Sequence, residues 1–135
     1  ENIYFGFDCP IPEGNGSVAN NMRRDSELTS DDNIQILLDT FNDRQNGFFF
    51  FVNPLGAQAD YLLSNEGRTY NRDWDCNWTC RTVRKPDRWT AEVQIPFSLL
   101  GTCLSLCLAM NTAAIIVANW IYPPASPESA IAITV

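Results

Sequence analysis

The sequence of 135 residues contains no histidine, and its nine basic residues include a single lysine, Lys85. Without histidine, catalysis by Ser-His-Asp or Cys-His groups is excluded, as is the commonest transition-metal ligand. A hydrolase would have to rely on carboxylates. The 16 acidic residues bring the net charge to −7, so a phosphate backbone would be repelled overall. Binding of nucleic acid is therefore not expected.

The five cysteines are too few for a disulfide-stabilised protein of this length, and their number is odd. Cys76 and Cys80 are four residues apart, as are Cys103 and Cys107. On a helix, each pair could share a metal ion. On a strand, at ~3.3 Å per residue, the two side chains would lie about 13 Å apart, which is too far for one zinc ion. We expect buried thiols, with a zinc site as the alternative.

Charge is almost absent from the C-terminal part of the chain. The last 38 residues carry one charge, Glu128, and residues 99–122 carry none. This length could span a bilayer, which needs ~20 apolar residues. Polar residues interrupt the stretch, however, and no lysine or arginine flanks either end. We therefore predict strands at residues 102–110, 113–120 and 131–135 rather than a membrane helix.

The most regular pattern in the chain is at residues 31–63. Ile34, Ile36 and Leu38 alternate with other residues at a period of two, which is typical of a strand with one buried face. Residues 48–52 are apolar at every position and predict a strand covered on both sides. A polar turn joins them, and we expect Gly47 to supply its positive φ. A third strand is predicted at residues 59–63.

Further strands are predicted on both sides of this hairpin. Residues 2–9 and 89–95 alternate apolar and polar side chains, which indicates one buried face each. Residues 73–82 place Trp74 and Trp78 on one face of another strand. The length predicts a single domain over residues 1–135. The fold class predicted is all-β, an antiparallel β-sandwich.

Arg24, Asp25 and Trp74 are the first candidates for ligand contacts, and each also has a structural interpretation. Arginine and carboxylate groups suit the vicinal hydroxyls of sugars at the rim of a groove. The same two residues could instead form an exposed ion pair of little energetic weight. Trp74 could stack on a sugar ring, or it could pack in the core of the sandwich.

A series of short motifs resembles the domain related to family 9 carbohydrate-binding modules, which is found near the N-terminus of large bacterial envelope proteins. The resemblance covers residue 1 to about residue 100, and it depends on the order of the motifs. They are residues 2–9, Arg23-Arg24-Asp25, the turn at residues 38–44, residues 52–56 with Asp60, residues 74–78 and residues 89–98.

This resemblance implies a jelly-roll-like β-sandwich that binds glycans without catalysis, often with a structural calcium ion, in the bacterial periplasm or cell envelope. The usual first strand of the family is absent, and the apolar tail at residues 101–135 does not match it. We expect this tail to complete the sandwich or to form an interface. The expected sugar-binding residues are Trp74 for stacking and Arg24, Asp25, Asp60 and Asp75 for hydrogen bonds, and the expected calcium ligands are Asp39 and Asp43.

Two other functions fit the sequence. A structural or assembly domain could dimerise through the apolar tail, because an uncharged stretch would otherwise expose a large apolar patch. A glycosidase could use two of the many carboxylates as acid and base. The sugar-binding function is the first hypothesis, and the assembly function is the alternative.

Overall fold

The computed structural model describes residues 1–41, 43–100, 115–120 and 130–134. Within these ranges the chain is nearly all-β, with nine strands and one 3₁₀ turn at Phe97–Leu99. The strands are β1 (Asn2–Pro10), β2 (Ile34–Asp39), β3 (Gly47–Val52), β4 (Gln58–Ser64), β5 (Thr69–Asn71), β6 (Thr79–Arg84), β7 (Arg88–Pro96), β8 (Ile115–Trp120) and β9 (Ala130–Thr134).

The strands form two antiparallel sheets. One has four strands in the order β6-β7-β1-β9, and the other has five in the order β5-β4-β3-β2-β8. The predicted antiparallel β-sandwich is therefore confirmed. Two strands of the apolar tail join it, β8 beside β2 and β9 beside β1. The predicted strand at residues 102–110 lies outside the described residues, and no helix in the described part of the chain is long and apolar enough to cross a membrane.

The main core lies between the two sheets and is built from alternate residues of the strands. Phe5 of β1, Phe50 of β3 and Trp89 of β7 are almost completely buried in it. Each such aromatic side chain contributes about 2–3 kcal/mol of burial free energy. The alternation fixes the register, because a slip by one residue would move these rings to the solvent side.

The turn between β2 and β3 differs from its prediction. Gly47 does not supply the positive φ, which belongs to Arg44 (φ 56°). Gly47 is already the first residue of β3. A Cβ atom there would lie 3.0 Å from Leu37 Cδ1 and 3.2 Å from the carbonyl oxygen of Leu38. The close approach of the neighbouring strand therefore disfavours a side chain at this position.

The strand predicted at residues 73–82 is only partly a strand. The alternation is correct, since Cys76 and Trp78 are buried while Asp75 and Asn77 are exposed. Hydrogen bonding between strands, however, begins only at Thr79. Residues 74–78 are extended without a partner strand. A second difference is the short strand β5, because no strand is predicted at residues 64–72.

Candidate functional site

The structure brings together four of the five predicted sugar-binding residues. Arg24 Nη2 lies 2.7 Å from Asp60 Oδ1 and 2.8 Å from Asp75 Oδ1. The same nitrogen lies 2.7 Å from the carbonyl oxygen of Cys76, and Arg24 Nε lies 3.6 Å from Asp25 Oδ2. These contacts form an ion-pair network beside β4, the strand that contains Asp60.

Asp60 is the buried centre of this network, with 1% of its surface exposed. In addition to Arg24, its carboxylate accepts hydrogen bonds from the Cys76 amide at 3.0 Å and from Trp78 Nε1 at 2.9 Å. Gln58 Nε2 donates to the carbonyl oxygen of Trp78 at 3.3 Å. Side chains thus replace the missing partner strand of residues 74–78. Most of the hydrogen-bonding capacity of Asp60 and Arg24 is used inside the protein.

Trp74 lies against the core. Its ring centroid is 5.1 Å from that of Phe48 and 6.3 Å from that of Phe50. The side chain is half-buried, and much of its ring surface packs against these two rings. The contacts are those of the packing interpretation, and the surface left for a ligand is small.

The two predicted calcium ligands stabilise the turn that contains them. Asp39 accepts hydrogen bonds from the amides of Asp43 at 3.3 Å and Arg44 at 2.8 Å. Asp43 in turn accepts from the amides of Gln45 at 2.8 Å and Asn46 at 2.9 Å. These bonds lower the pKa of Asp43, those from the Asn46 and Gln45 amides most. As they stand, the two carboxylates do not offer calcium the six to eight oxygen ligands it prefers.

Metal chemistry has little other support in the described part of the chain. There, no three or more cysteine, aspartate or glutamate side chains are grouped to hold a metal ion. Burial raises the pKa of Cys9 to about 12 and that of Cys80 to about 11. Burial and the nearby Asp60 carboxylate also raise the pKa of Cys76. Without a metal ion, these three cysteines are therefore neutral thiols at pH 7.

The outer face of the five-stranded sheet carries a pocket that the sequence did not predict, termed here the aromatic pocket. Its volume is about 310 Å³, which is close to the lower limit of ligand-binding pockets, about 300 Å³. Four aromatic rings and a few polar side chains line it. The rings are Phe49, Phe51, Tyr61 and Tyr70, and the polar side chains are Glu27, Thr29, Gln35 and Arg72.

The four rings contact one another in a closed series. Phe49 packs against Phe51 at a centroid distance of 4.5 Å and against Tyr70 at 6.4 Å. Tyr61 packs against Phe51 at 5.5 Å and against Tyr70 at 6.3 Å. Tyr70 keeps 50% of its surface exposed. One aromatic ring therefore remains accessible, in a position supported by the others.

A cation and an anion lie at the rim of the aromatic pocket. The guanidinium carbon of Arg72 is 5.6 Å from the centroid of Tyr61. Arg72 Nη1 is 3.4 Å from Glu27 Oε2, and both side chains are more than half exposed. An ion pair at this distance and exposure is weak. Hydroxyl groups of a ligand can therefore replace the ion pair between Arg72 and Glu27 at little cost in free energy.

One wall of the pocket is formed by Glu27, Leu28 and Thr29, and several hydrogen bonds hold this wall in place. Asn33 Nδ2 and the Asp31 amide both donate to the carbonyl oxygen of Leu28, at 3.1 Å each. The amide of Asp25 donates to the carbonyl oxygen of Gln58 at 2.9 Å. The Arg24 network therefore fixes the segment that leads into the wall, which gives the predicted residue Arg24 an indirect connection to the pocket.

The pocket was missed because residues 48–52 were expected to be covered on both faces. In the structure, loop residue Leu28 covers Phe51, while Phe49 stays partly exposed. The alternation of β3 could have placed Phe49 and Phe51 on the outer face. The sequence around Tyr70 did not indicate that this residue lines the pocket. Tyr70 lies in the short strand β5 and reaches the pocket only because β5 pairs with β4.

Comparisons with models of protein families, with curated proteins and with solved structures gave no match for this chain. Membership of the family 9-like carbohydrate-binding domains stays a prediction from the motif series.

Proposed function

We propose that this domain binds glycan weakly and without catalysis, and that it is a β-sandwich related to family 9 carbohydrate-binding modules. The observation that carries the proposal is the aromatic pocket. An aromatic lining with a few polar groups at its rim is the usual composition of a small-ligand site. The motif series supports the family, and the pocket supports a site different from the one expected from sequence.

The rings and the rim would recognise different parts of a sugar. The exposed face of Tyr70 offers a flat apolar surface to the C–H face of a pyranose. Arg72 donates hydrogen bonds and Glu27 accepts them. Each such bond in an exposed site contributes about 0.5–1.5 kcal/mol. We expect a net binding free energy of about 4–5 kcal/mol from one ring contact and two or three such bonds, which corresponds to a Kd between about 0.2 and 1 mM.

The residues expected to touch the sugar have a supporting role in this proposal. Arg24, Asp60 and Asp75 hold the extended residues 74–78 and the entry to the pocket wall. Trp74 packs on Phe48. The carboxylates of Asp39 and Asp43 already accept hydrogen bonds from their own turn. The predicted calcium binding is therefore tested by measuring glycan binding with and without calcium.

The test is a titration of the ¹⁵N-labelled protein with neutral hexasaccharides, in the presence and absence of 2 mM calcium, followed by amide chemical shifts. We expect saturable shifts near Tyr70 and Arg72. Tyr70→Ala should lower the affinity by about tenfold, the equivalent of 1.4 kcal/mol. Phe41→Ala is the matched control, since Phe41 is also an exposed aromatic residue (53%) and lies outside the pocket.

Two results would count against the proposal. If no saccharide produces saturable shifts with or without calcium, the glycan-binding function is wrong. If Tyr70→Ala binds as tightly as Phe41→Ala, the aromatic pocket is not the site. A calcium requirement that survives Asp43→Asn would remove Asp43 from the ligand set.

The assembly function is kept as a second candidate because of the position of the tail strands. Among the described residues, β8 and β9 are the outermost strands at one side of their sheets, and neither contains a charged residue. Charges are a common protection of edge strands against pairing with another chain. Multi-angle light scattering from 5 to 500 µM tests it, and a constant monomer mass would exclude dimerisation through these edges.

A further inference from the structure

The outer face of the four-stranded sheet has a second, larger cavity of about 710 Å³, termed here the sheet groove. It lies on the opposite side of the sandwich from the aromatic pocket. Its floor consists of outward-facing residues that the strand register places in two rows across β1, β7 and β6. The rows are Tyr4, Gln94 and Thr79, followed by Gly6, Glu92 and Arg81.

Gly6 contributes no side chain to this floor. Its neighbours on the same face of β1 are Tyr4 and Asp8, and its cross-strand partners are Glu92 of β7 and Ala132 of β9. Glycine weakens a strand and often marks a close approach by another group. Gly6 is next to Tyr4 on this face, and the ring of Tyr4 is 45% exposed. Both residues line the cavity.

The two charged side chains of the groove have no hydrogen-bond or ion-pair partner in the described part of the protein. Arg81 and Glu92 are directly paired across β6 and β7, with Cβ atoms about 5 Å apart by strand geometry. Both are exposed, yet neither takes part in an ion pair or a side-chain hydrogen bond among the described residues. Gln94 makes one long contact, accepting from Thr79 Oγ1 at 3.4 Å. Donors and acceptors are thus available next to an exposed ring.

We propose that the sheet groove is a second glycan-binding surface, which takes a neutral oligosaccharide chain across β1, β7 and β6. This inference rests on the proposed function and extends it from one site to two. Tyr4 stacks on one sugar ring, Arg81 donates to hydroxyl groups, and Glu92 and Gln94 accept from them. The cavity is more than twice the size of the aromatic pocket, so it suits several sugar units.

The chemistry of the groove favours this occupant over others. A nucleic acid would meet one arginine and one glutamate in a protein of net charge −7. A peptide added as a strand needs a free sheet edge, whereas the groove lies over the face of three paired strands. A stable protein interface needs an apolar centre, and the outward-facing residues of the two rows are polar apart from Tyr4 and Gly6.

The experiment uses the full chain with cellohexaose, xylohexaose, maltohexaose and mannohexaose as probes. Isothermal titration gives the stoichiometry, and amide shifts show which face binds. We expect two sites, with one set of shifts in β1, β6 and β7 and another around Tyr70. Tyr4→Ala and Glu92→Gln should each lower the affinity of the groove at least fivefold while the shifts around Tyr70 remain. Glu92→Gln is isosteric and exposed, so it keeps a folded protein in the comparison.

The outcomes separate this inference from the proposed function. If binding produces shifts only around Tyr70, or if neither variant changes the shifts in β1, β6 and β7, the sheet groove is not a binding surface and the first site stands. If shifts appear only in the groove, the inference holds and the proposed site is wrong. If no probe binds to either face, both fail. Shifts in β1 and β7 that depend on protein concentration alone would show a second copy in the groove and overturn the inference.

Discussion

Arg24 bonds to two carboxylates of very different exposure, which allows a sharp test of the network around it. The side chain of Asp60 is 0% exposed, while that of Asp75 is 71% exposed. Both lie within 2.8 Å of Arg24 Nη2. The distances are nearly equal, so burial decides the energetic weight of each pair. We predict that Arg24→Ala destabilises the protein strongly and that Asp75→Ala does not.

The magnitudes follow from what each variant leaves behind. Removing one partner of a buried ion pair typically costs about 3–5 kcal/mol, because the other charge stays buried and unpaired. Arg24 is itself 35% exposed, so water can partly replace it, and we expect a loss of about 3 kcal/mol in the free energy of unfolding. Asp75→Ala removes an exposed pair and should cost at most about 1 kcal/mol. Arg24→Lys should fall between them, because one ammonium group cannot reproduce the planar fork of donors.

Urea unfolding followed by tryptophan fluorescence measures these differences. For a chain of this length, a loss of 3 kcal/mol should also lower Tm by about 10 °C. Arg23→Ala is the control, since Arg23 is the exposed neighbour of Arg24 and forms no ion pair among the described residues. Equal losses in Arg24→Ala and Asp75→Ala, or a loss below 1 kcal/mol in Arg24→Ala, would refute the argument from burial.

The remaining predictions concern the buried acids and one glycine. Burial raises the pKa of Asp31, but hydrogen bonds from Asn53, Asn21 and Asn20 lower it overall, so its stabilisation is present above pH ~3.9 and is lost as the pH falls through the folded-state pKa. Asp31→Asn places an amide donor against these donors and should cost about 1–3 kcal/mol at pH 7. Burial raises the pKa of Asp32, so the ionised carboxylate opposes folding above its folded-state pKa. Asp32→Asn should therefore be within about 1 kcal/mol of the wild type or more stable. Equal losses of stability in Asp31→Asn and Asp32→Asn, measured by urea unfolding at pH 7, would contradict this assignment. Gly47→Ala should cost about 1–3 kcal/mol by crowding Leu38. Gly16→Ala should be neutral, because nothing lies within 4 Å of a Cβ atom at that position. Urea unfolding at pH 7 distinguishes the two variants.

The fold was largely predictable because the alternation of apolar residues is strong. Strands β1, β2 and β7 each bury one clear set of side chains, and a period of two leaves one choice of face. Residues 74–78 show the limit of this signal. Their alternation is that of a strand, but their hydrogen-bond partners are the side chains of Arg24, Gln58 and Asp60. The periodicity of a sequence indicates which face of a segment is buried, but not which groups form hydrogen bonds with its backbone.

The candidate site was less predictable for a related reason. The motif series gave Arg24, Asp60 and Asp75 as sugar-binding residues, and in the structure they contact one another in an internal network. The aromatic pocket depends on the pairing of β5 with β4 and on the position of Leu28 over Phe51. Both are contacts between distant segments, which a local pattern of residues does not encode. The prediction for Gly47 was wrong for a similar reason. The neighbouring strand, and not a positive φ, disfavours a larger residue there.

Arg24 is bound at the same time to the carbonyl oxygen of Cys76 and, through its neighbour Asp25, to β4. Opening of this one contact point would release two segments together, so residues 74–78 and residues 24–29 should exchange their amide hydrogens as one cooperative unit. A molecule held between Glu27 and Tyr70 would then slow hydrogen exchange at Cys76 without touching it. The response would pass from the wall of the aromatic pocket to residues 74–78 through a single guanidinium group.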